Sequence, residues 1–168
     1  MNNKNKRNHL SKPAKTITSD KVISVNRRAR FQYNIIHSLE AGIALTGTEI
    51  KSVRTANVSL QFSFARITRS EAWLHGLNIP LYKQGNIYNH EPTRPRKLLL
   101  KRSQISDLEK QLKSANLTLI PLRLYITRHR AKIQIGLAQG RKLHDKRQLL
   151  AKRDSDRQID RQLKERRY

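Results

Sequence analysis

A regular alternation of apolar and polar residues late in the chain constrains the fold more than any other feature. Large aliphatic side chains occupy alternate positions from Ile120 to Ile126 and again from Ile133 to Leu137, and the polar stretch TRHR follows the first run. Successive side chains of a strand point to opposite faces, so this spacing predicts two strands joined by a short turn. We therefore expect an antiparallel hairpin with one buried and one solvated face.

Other segments of the middle region are expected to add strands to this hairpin. Strand-like patterns occur at 31–35, at 59–67 with a turn at 68–70, and at 72–79. The stretch AGIALTG (41–47) is a short apolar run punctuated by glycines. Residues 83–97 hold two prolines and four basic side chains, which predicts a long exposed loop.

Two segments have helical spacing instead. TEIKSVRT (48–55) is expected to begin with Thr48 as its N-cap, and SQISDLEKQLKSAN (103–116) with Ser103 as its N-cap. Short antiparallel strands with a helix at one end are typical of small barrels of the oligonucleotide-binding (OB) type. The predicted fold is therefore mainly β with peripheral α-helices, a small antiparallel OB-fold-like β-barrel that is closed or partly open.

Positive charge is spread over the whole chain. The 168 residues include 36 Lys or Arg against 12 Asp or Glu, for a formal net charge of +24. Residues 22–139, here called the body, are long enough for one compact domain and carry +13. A basic N-terminal segment (1–21), expected to be flexible, carries +5, and residues 140–168, here called the tail, carry +6. A body that is itself so basic favours a polyanionic partner, and nucleic acid is the leading candidate.

The tail contains residues that favour a helix but has no apolar stripe. At about 100° per residue, Leu150 and Ile159 fall on opposite sides of a helix. Most helical stability in proteins comes from packing an apolar face, so propensity alone stabilises an isolated helix little. The basic C-terminal tail is therefore expected to be disordered when free and helical on a partner.

Patterns for catalysis or metal binding are missing from the sequence. The chain has no cysteine, and its six histidines lack the i,i+4 spacing of a helical metal pair. Asp107 and Glu109 diverge by about 200° on a helix, so they cannot share a substrate atom. An enzyme, a metal and a cofactor are thus not expected. Since neither a secretory signal nor a membrane-spanning stretch is found, a cytoplasmic protein is expected.

Two basic clusters in the body suggest contacts with RNA. NRRAR (26–30) precedes a strand with aromatic residues, and TRPRK (93–97) is followed by Lys101 and Arg102. For any single Lys or Arg, solvation of the surface is the simpler explanation, but few acids are present to balance the clusters. In the tail, His144 is equally consistent with a solvated histidine and with a flat ring that stacks on an unpaired base.

Five motifs, in their order and spacing, resemble the SsrA-binding protein family, also called small protein B or SmpB. They are NRRAR (26–30), EAGIALTGTEIKSVR (40–54), TRPRKLLL (93–100), IPLRLY (120–125) and GRKLHDKR (140–147). Some positions depart from the family pattern. Lys101 stands where Asn or His is common, Phe62 stands where Asp is usual, and Ala56 and Ser70 stand where glycines are usual at turns. At Lys101 a side-chain contact with RNA is expected to become a phosphate contact, whereas the departures at Phe62, Ala56 and Ser70 bear on turn geometry more than on function.

The resemblance implies a specific RNA partner and a place of action. It implies an OB-like barrel that binds the tRNA-like domain of transfer-messenger RNA (tmRNA) and takes the place of an anticodon arm. It also implies delivery of tmRNA to stalled ribosomes for trans-translation, with the tail in the decoding site and the empty mRNA channel of the small subunit. Elongation factor Tu is an expected member of the tmRNA complex, and the protein is expected to be a monomer without membrane association.

Two other classes of protein remain open from the residues alone. A structural ribosomal or rRNA-binding protein with a small β-barrel would have the same basic body and would be stoichiometric with ribosomes. An RNA-modifying enzyme would need a cofactor or a metal, for which the sequence offers no evident site.

The candidate site residues come from the basic clusters and from the resemblance. In the body, the RNA-binding candidates are Asn26, Arg27, Arg28, Glu40, Lys51, Arg54, Arg94, Arg96, Lys97, Leu99 and Lys101. In the tail, the decoding-site candidates are Gly140, Lys142, His144, Asp145, Lys146 and Arg147. The resemblance places Asn26, Glu40 and Leu99 on the RNA-facing surface, although Leu99 is nearly as consistent with ordinary strand packing. A carboxylate such as Glu40 can accept hydrogen bonds from base amino or imino groups.

Overall fold

The computed structural model describes residues 21–55, 57–114 and 116–142, and then positions 144, 145, 147, 155, 158, 161 and 162. The described residues form strands, three α-helices and a short 3-10 helix. In chain order these are β1 (Lys21–Val25), α1 (Ala29–Gln32), β2 (Tyr33–Ile43), α2 (Gly47–Thr55), β3 (Phe64–Thr68), β4 (Glu71–His75), the 3-10 helix (Asn86–Tyr88), β5 (Arg96–Leu99), α3 (Arg102–Ser114), β6 (Leu117–Thr127) and β7 (Arg130–Gly140). Most of the predicted N-terminal segment, residues 1–20, lies outside the described residues.

Six of the strands close into a barrel. Antiparallel pairing runs from β7 to β6, then to β3, β4, β5 and β2, and β2 pairs again with β7. The remaining strand, β1, pairs with the part of β6 near Arg123, on the same edge of β6 that pairs with β3 at Leu119. The prediction of a mainly β, antiparallel, OB-like barrel with peripheral helices is confirmed, and the barrel is closed.

The predicted hairpin is the longest element of the barrel. Its strands β6 and β7 are joined by Arg128 and His129, both with positive φ (45° and 65°), the backbone that right-twisted two-residue hairpins need. The expectation of one wet face is wrong for part of β6. An irregularity in the register after Pro121 places Ile120 and Leu122 in a second small core with Ala29 of α1. Alternation predicts that Ile120 and Leu122 share one face with Leu124, but in the structure they pack under α1 while Leu124 lies in the main core.

The two longer helices begin one or more residues before the predicted caps. At α2, Thr46 rather than Thr48 occupies the capping position. The backbone N–H of Thr46 donates to Glu49 Oε2 (2.7 Å), and the Glu49 N–H donates weakly to Thr46 Oγ1 (3.5 Å). This reciprocal pair is a capping box. Helix α3 begins at Arg102, and the Lys101 N–H donates to Gln104 Oε1 (2.9 Å), so Ser103 is not the cap.

The segments around β3 and β4 are only partly as predicted. Strand β3 begins at Phe64, since Phe62 has a φ of 62° and lies in a turn. Strand β4 ends at His75, and Gly76 follows with positive φ. The predicted turn at 68–70 is confirmed, with Arg69 and Ser70 both in the left-handed region.

The predicted exposed loop at 83–97 is also corrected. Its end belongs to β5, which begins at Arg96, and His90 is buried, with its Nδ1 3.0 Å from Thr48 Oγ1. Asn89 holds the two sides of the loop together, because its side-chain amide bonds both the N–H and the carbonyl of Tyr82 (3.0 and 2.8 Å). The segment is therefore an ordered part of the domain, fixed by side-chain hydrogen bonds that no local pattern signals.

Candidate RNA-binding surface

Glu49, Arg94 and Arg96, here called the Glu49 cluster, form an ion-pair network in which Glu49 and Arg96 are fully buried and Arg94 is partly exposed. Glu49 Oε1 accepts hydrogen bonds from the Nε atoms of Arg94 and Arg96, each at 2.8 Å. Glu49 Oε2 accepts from Arg94 Nη2 at 2.5 Å and from the backbone N–H of Thr46. The carboxylate that caps α2 thus also joins α2 to the strand and loop that carry the two arginines.

Arg96 is therefore not an RNA contact, and this prediction is corrected. Its side chain is fully buried, with an exposed fraction of 0%. Its guanidinium donates to Glu49 and to the carbonyls of Leu77 (2.5 Å), Pro92 (2.9 Å) and Arg94 (3.1 Å). A buried charge needs such partners, because desolvation otherwise costs several kcal/mol. Arg94 remains partly exposed, so it is still a candidate, although its guanidinium is bound to Glu49, which it shares with Arg96.

The protonation of Glu49 follows from this geometry. Burial alone raises the pKa of the Glu49 carboxyl. The hydrogen bonds from Arg94, the Thr46 N–H and Arg96, together with the charge of Arg96, outweigh burial and hold the pKa below its ordinary value of 4.5. Burial lowers the pKa of the Arg96 guanidinium, but that group stays charged at neutral pH because its ordinary pKa is so high. The cluster is thus a charged network in the interior.

Glu40 and Leu99 both lie on the outside of the barrel, on the paired strands β2 and β5. Residues along a strand alternate between the interior and the exterior, and Ala41 and Leu98 are buried. Their neighbours Glu40, Gly42 and Leu99 therefore face outward. Strand β2 pairs with β5 at Gly42 and Leu99, and a Cβ atom at Gly42 would lie only 3.2 Å from Leu99 Cβ. Leu99 is 57% exposed, so it is available for contact with RNA, although it also packs against Gly42 of the neighbouring strand.

Glu40 is held by neighbours that the sequence did not reveal. The Tyr125 hydroxyl donates to one carboxylate oxygen, and Lys132 Nζ donates to the other. The hydrogen bonds from Lys132 and Tyr125 lower the pKa of Glu40, with smaller contributions from the charges of Lys132 and Arg123. Arg123 in turn lies over the Tyr125 ring, with Cζ 4.9 Å from the centroid. Each carboxylate oxygen has a further lone pair, so Glu40 remains a usable acceptor at the surface.

We call the residues around Glu40 and Leu99 the outer face. It is defined by Glu40, Leu99, Lys97, Lys132 and Arg123, from strands β2, β5, β6 and β7. Lys97 is paired with Glu71 on β4, and both side chains are about two-fifths exposed. Next to the outer face lies a cleft of about 680 Å³, lined among others by Arg69, Lys97, Leu99 and Arg102. This arrangement can contact both the phosphates and the edges of an RNA segment.

Other predicted candidates are positioned differently. Asn26 has a structural role, because its Oδ1 accepts from the Ala29 N–H (3.1 Å) and its Nδ2 donates to the carbonyls of Pro121 (3.1 Å) and Leu60 (3.4 Å). These bonds join β1, α1 and β6. The other body candidates are exposed and basic, and belong to three places: the turn before α1, helix α2, and the start of α3. They are Arg27, Arg28, Lys51, Arg54 and Lys101.

The start of the tail is attached to the barrel. Gly140 pairs with Tyr33, and the next residue, Arg141, donates its backbone N–H to the Gln32 carbonyl (3.0 Å) and its Nε to the Tyr33 carbonyl (3.2 Å). The backbone N–H of Lys142 donates to Asp145 Oδ2 (3.3 Å), as an acid in the first turn of a helix often accepts.

The remaining tail candidates lie beyond this attachment. His144, Asp145 and Arg147 have helical backbone and exposed side chains, whereas Lys146 lies outside the described residues. The tail thus leaves the barrel beside α1, with a local signal for a helix start. The predicted disorder of the free tail concerns residues that are mostly outside the described part of the chain.

Neither a metal centre nor a membrane-spanning helix is found in the described part of the chain. Among those residues, no group of three or more histidine or acidic side chains could hold a metal ion. No helix within the same residues is long and apolar enough to cross a membrane.

The chain is similar to proteins of one known family over most of its length. Residues 23–165 match the family described as SmpB protein. An SsrA-binding protein of Enterococcus hirae is 51% identical over 144 residues, which cover 86% of this chain and 94% of that protein. One from Roseiflexus sp. (strain RS-1) is 52% identical over 148 residues, or 88% and 94% of the two chains.

A solved structure gives the same result at the level of the fold. The chain superposes with a TM-score of 0.61 and 44% identity on a protein chain described as "tmRNA-SmpB: a journey to the center of the bacterial ribosome", covering 71% of this chain and 85% of that one. The family match spans nearly all of the body and most of the tail. This chain belongs to the SmpB protein family.

Proposed function

We propose that this protein binds tmRNA through the outer face of its barrel and delivers it to stalled ribosomes for trans-translation. The observation that carries the proposal is the position of Glu40 on the outside of the closed barrel, paired with Lys132 and two residues along β2 from Gly42, the partner of the exposed Leu99. Membership of the SmpB family and the names of the relatives support the same RNA partner. In this proposal the protein acts as an RNA-binding factor and catalyses no reaction.

The charge of the body explains how such a surface attracts RNA without a deep pocket. Lysine and arginine side chains that neutralise phosphates release condensed counterions, and this release dominates non-specific affinity. A carboxylate in the same place selects against plain phosphate contact and favours donors on base edges. Glu40, held in its charged form by Lys132 and Tyr125, is suited to that selective role.

The tail is assigned a separate task within the proposed function. Gly140, Lys142, His144, Asp145, Lys146 and Arg147 are proposed to contact the decoding site, and the rest of the tail to become helical in the empty mRNA channel of the small subunit. The hydrogen bond between Lys142 and Asp145 supports a helix that starts at this point. The protein is proposed to act as a monomer in the cytoplasm, in a tmRNA complex that also holds elongation factor Tu.

Sequencing of the RNA that co-purifies with the protein tests the proposal directly. One stable RNA with a tRNA-like domain, in amounts far below those of ribosomes, is expected. Recovery of ribosomal RNA alone, in stoichiometric amounts, would support the alternative of a structural ribosomal protein.

Residues 21–142 are expected to bind tmRNA nearly as tightly as the full chain. This fragment contains the complete barrel, the outer face and the Arg141 attachment, while the rest of the tail is directed at the ribosome. Measured by filter binding, log K should fall with log[salt] with a slope of several units, since each neutralised phosphate contributes about 0.7–0.9. A large loss of affinity at near-physiological salt, or a flat salt response, would contradict the proposed binding mode.

Glu40→Gln is expected to weaken tmRNA binding by roughly 1–3 kcal/mol, because the amide keeps one acceptor but loses the charge that strengthens hydrogen bonds to base donors. The control is Asp107→Asn on α3, which removes the same charge from an exposed side chain that belongs neither to the outer face nor to the lining of the adjacent cleft. Glu71 is a poorer control, because it pairs with Lys97. Equal, small effects of the two substitutions on the dissociation constant would mean that Glu40 is only a solvated acid.

A further inference from the structure

A second concave site lies at the start of β6. Tyr125, the partner of Glu40, lies near the end of the same strand. The cavity is about 340 Å³ and lies between the turn after Leu60, helix α1 and the start of β6. We call it the Phe62 cavity. Its wall includes Phe62, Phe64, Tyr33, Arg28, Gln32, Gln61 and Thr118. Thr118 is seven positions from Tyr125, the partner of Glu40, which is about 23 Å along a strand at ~3.3 Å per residue.

Phe62 is presented to solvent by a fixed turn. Its ring is 83% exposed, and its φ of 62° lies in the left-handed region that bulky residues rarely adopt. The turn is closed by Ser63, whose Oγ donates to the Leu60 carbonyl (2.5 Å). Gly76 packs against it so closely that a Cβ there would lie 3.0 Å from the Phe62 carbonyl oxygen. An exposed aromatic side chain held in an unfavourable backbone conformation suggests a role outside folding.

The chemistry of the cavity combines aromatic surfaces with unused polar groups. Beside Phe62, Phe64 is 47% exposed and stacks on His75, with the ring centroids 5.4 Å apart and the planes 17° apart. Among the described residues, the side chains of Arg28, Gln32 and Gln61 have no hydrogen-bond partner. An amide presents one acceptor and two donors, and a guanidinium presents donors that suit a phosphate.

We propose that the Phe62 cavity binds one unpaired base of a bound RNA, with the Phe62 ring stacked on the base. A volume of about 340 Å³ is at the lower end of the usual range for small-molecule sites, roughly 300–1,000 Å³, and suits a single nucleoside rather than a duplex. Gln32 and Gln61 bond the edge of the base, and Arg28 binds the adjacent phosphate. The net charge of +24 favours RNA over a protein partner for this aromatic surface.

This proposal deepens the proposed function, because it adds a second contact for RNA at a distance from the outer face. Aromatic residues flanked by cations are the arrangement by which proteins bind unstacked bases. One RNA base bound in this cavity and a helical segment of the same RNA bound on the outer face would together fix the orientation of the RNA on the barrel. The two contacts would do so more firmly than either contact alone.

The test uses the full chain and two RNA hairpins, one fully paired and one identical except for a single bulged 2-aminopurine, whose fluorescence falls when it stacks. The wild-type protein is expected to bind the bulged hairpin about tenfold more tightly than the paired one, with quenching of the fluorescence. Phe62→Asn, which suits the left-handed backbone and removes the ring, is expected to abolish both the preference and the quenching. The affinity of this variant for the paired hairpin is expected to be unchanged. Its midpoint of thermal unfolding is expected to be unchanged or higher.

The matched control is Tyr88→Ala, which removes an aromatic ring of equal exposure (82%) from the 3-10 helix and should leave both signals intact. Wild-type protein without a preference for the bulge, or Phe62→Asn with preference and quenching retained, overturns the proposal. Binding of tmRNA is measured on the same preparations. If the wild-type protein binds tmRNA but does not quench the probe, only the cavity proposal fails. If the wild-type protein does not bind tmRNA, the proposed function itself is refuted.

Discussion

Simultaneous replacement of Asp145, Lys146 and Arg147 by alanine is expected to reduce the tagging of stalled chains at least a hundredfold in a reconstituted trans-translation assay. The tail has no apolar stripe, and in the proposed function ribosomal RNA supplies the counter-charge and confinement that make it helical. The substitution removes two cations that are proposed to bind ribosomal RNA. It also removes the carboxylate that accepts from the Lys142 N–H at the start of the helix. Without these two cations and the Asp145 carboxylate, the tail should not bind in the decoding site.

The same triple variant should keep its affinity for tmRNA and its thermal stability within experimental error, because the described part of the tail is anchored through Arg141, which is unchanged. The control is the triple replacement of Asp107, Lys110 and Lys113 on α3. It changes the net charge by the same amount at exposed positions of the body and should tag normally. Normal tagging by the tail variant would refute the assignment of the tail to the decoding site.

Glu49→Gln is expected to destabilise the protein by about 3–5 kcal/mol, the usual cost of removing one member of a buried ion pair. The amide leaves the Arg96 guanidinium in the interior without a counter-charge, and it weakens the capping box of α2. Urea unfolding followed by circular dichroism measures the change. Glu71→Gln is the matched control, because the pair of Glu71 with Lys97 is about two-fifths exposed, and such pairs contribute only about 0–1 kcal/mol.

The contribution of Glu49 to stability should depend on pH in a defined direction. Its pKa in the folded protein is lowered from 4.5, so between the two values the unfolded chain binds more protons than the folded one. The stability due to the carboxylate is therefore complete above about pH 4.5 and is lost as the pH falls through the folded pKa. The unfolding free energy of the wild type should decline more steeply than that of Glu49→Gln in this window. Parallel pH profiles would argue against a charged Glu49.

The strands and helices that sequence patterns predicted correctly are those whose signals are local. Alternation over 120–137 predicted β6 and β7, and helical spacing predicted α2 and α3, because a period of two or 3.6 residues is a property of the segment itself. The excess of basic residues likewise indicated RNA, since net charge needs no fold to act at a distance. The errors in the predicted strands and helices concern their ends and caps. At α2 the N-cap is Thr46 instead of the predicted Thr48, because the N-cap is the residue whose hydroxyl accepts from the Glu49 N–H.

The identity of the surface residues depended on contacts between distant segments. TRPRK looks uniformly exposed in the sequence, yet Arg96 is buried by a carboxylate 47 positions away, because a charged group enters the interior wherever a fixed partner neutralises it. Lys132 and Tyr125 meet Glu40 only because the barrel closes through β7. The sequence by itself therefore determined the class of fold and the class of partner. Only the tertiary structure decided which cations are available to RNA, since burial and pairing are set by the packing of strands far apart in the chain.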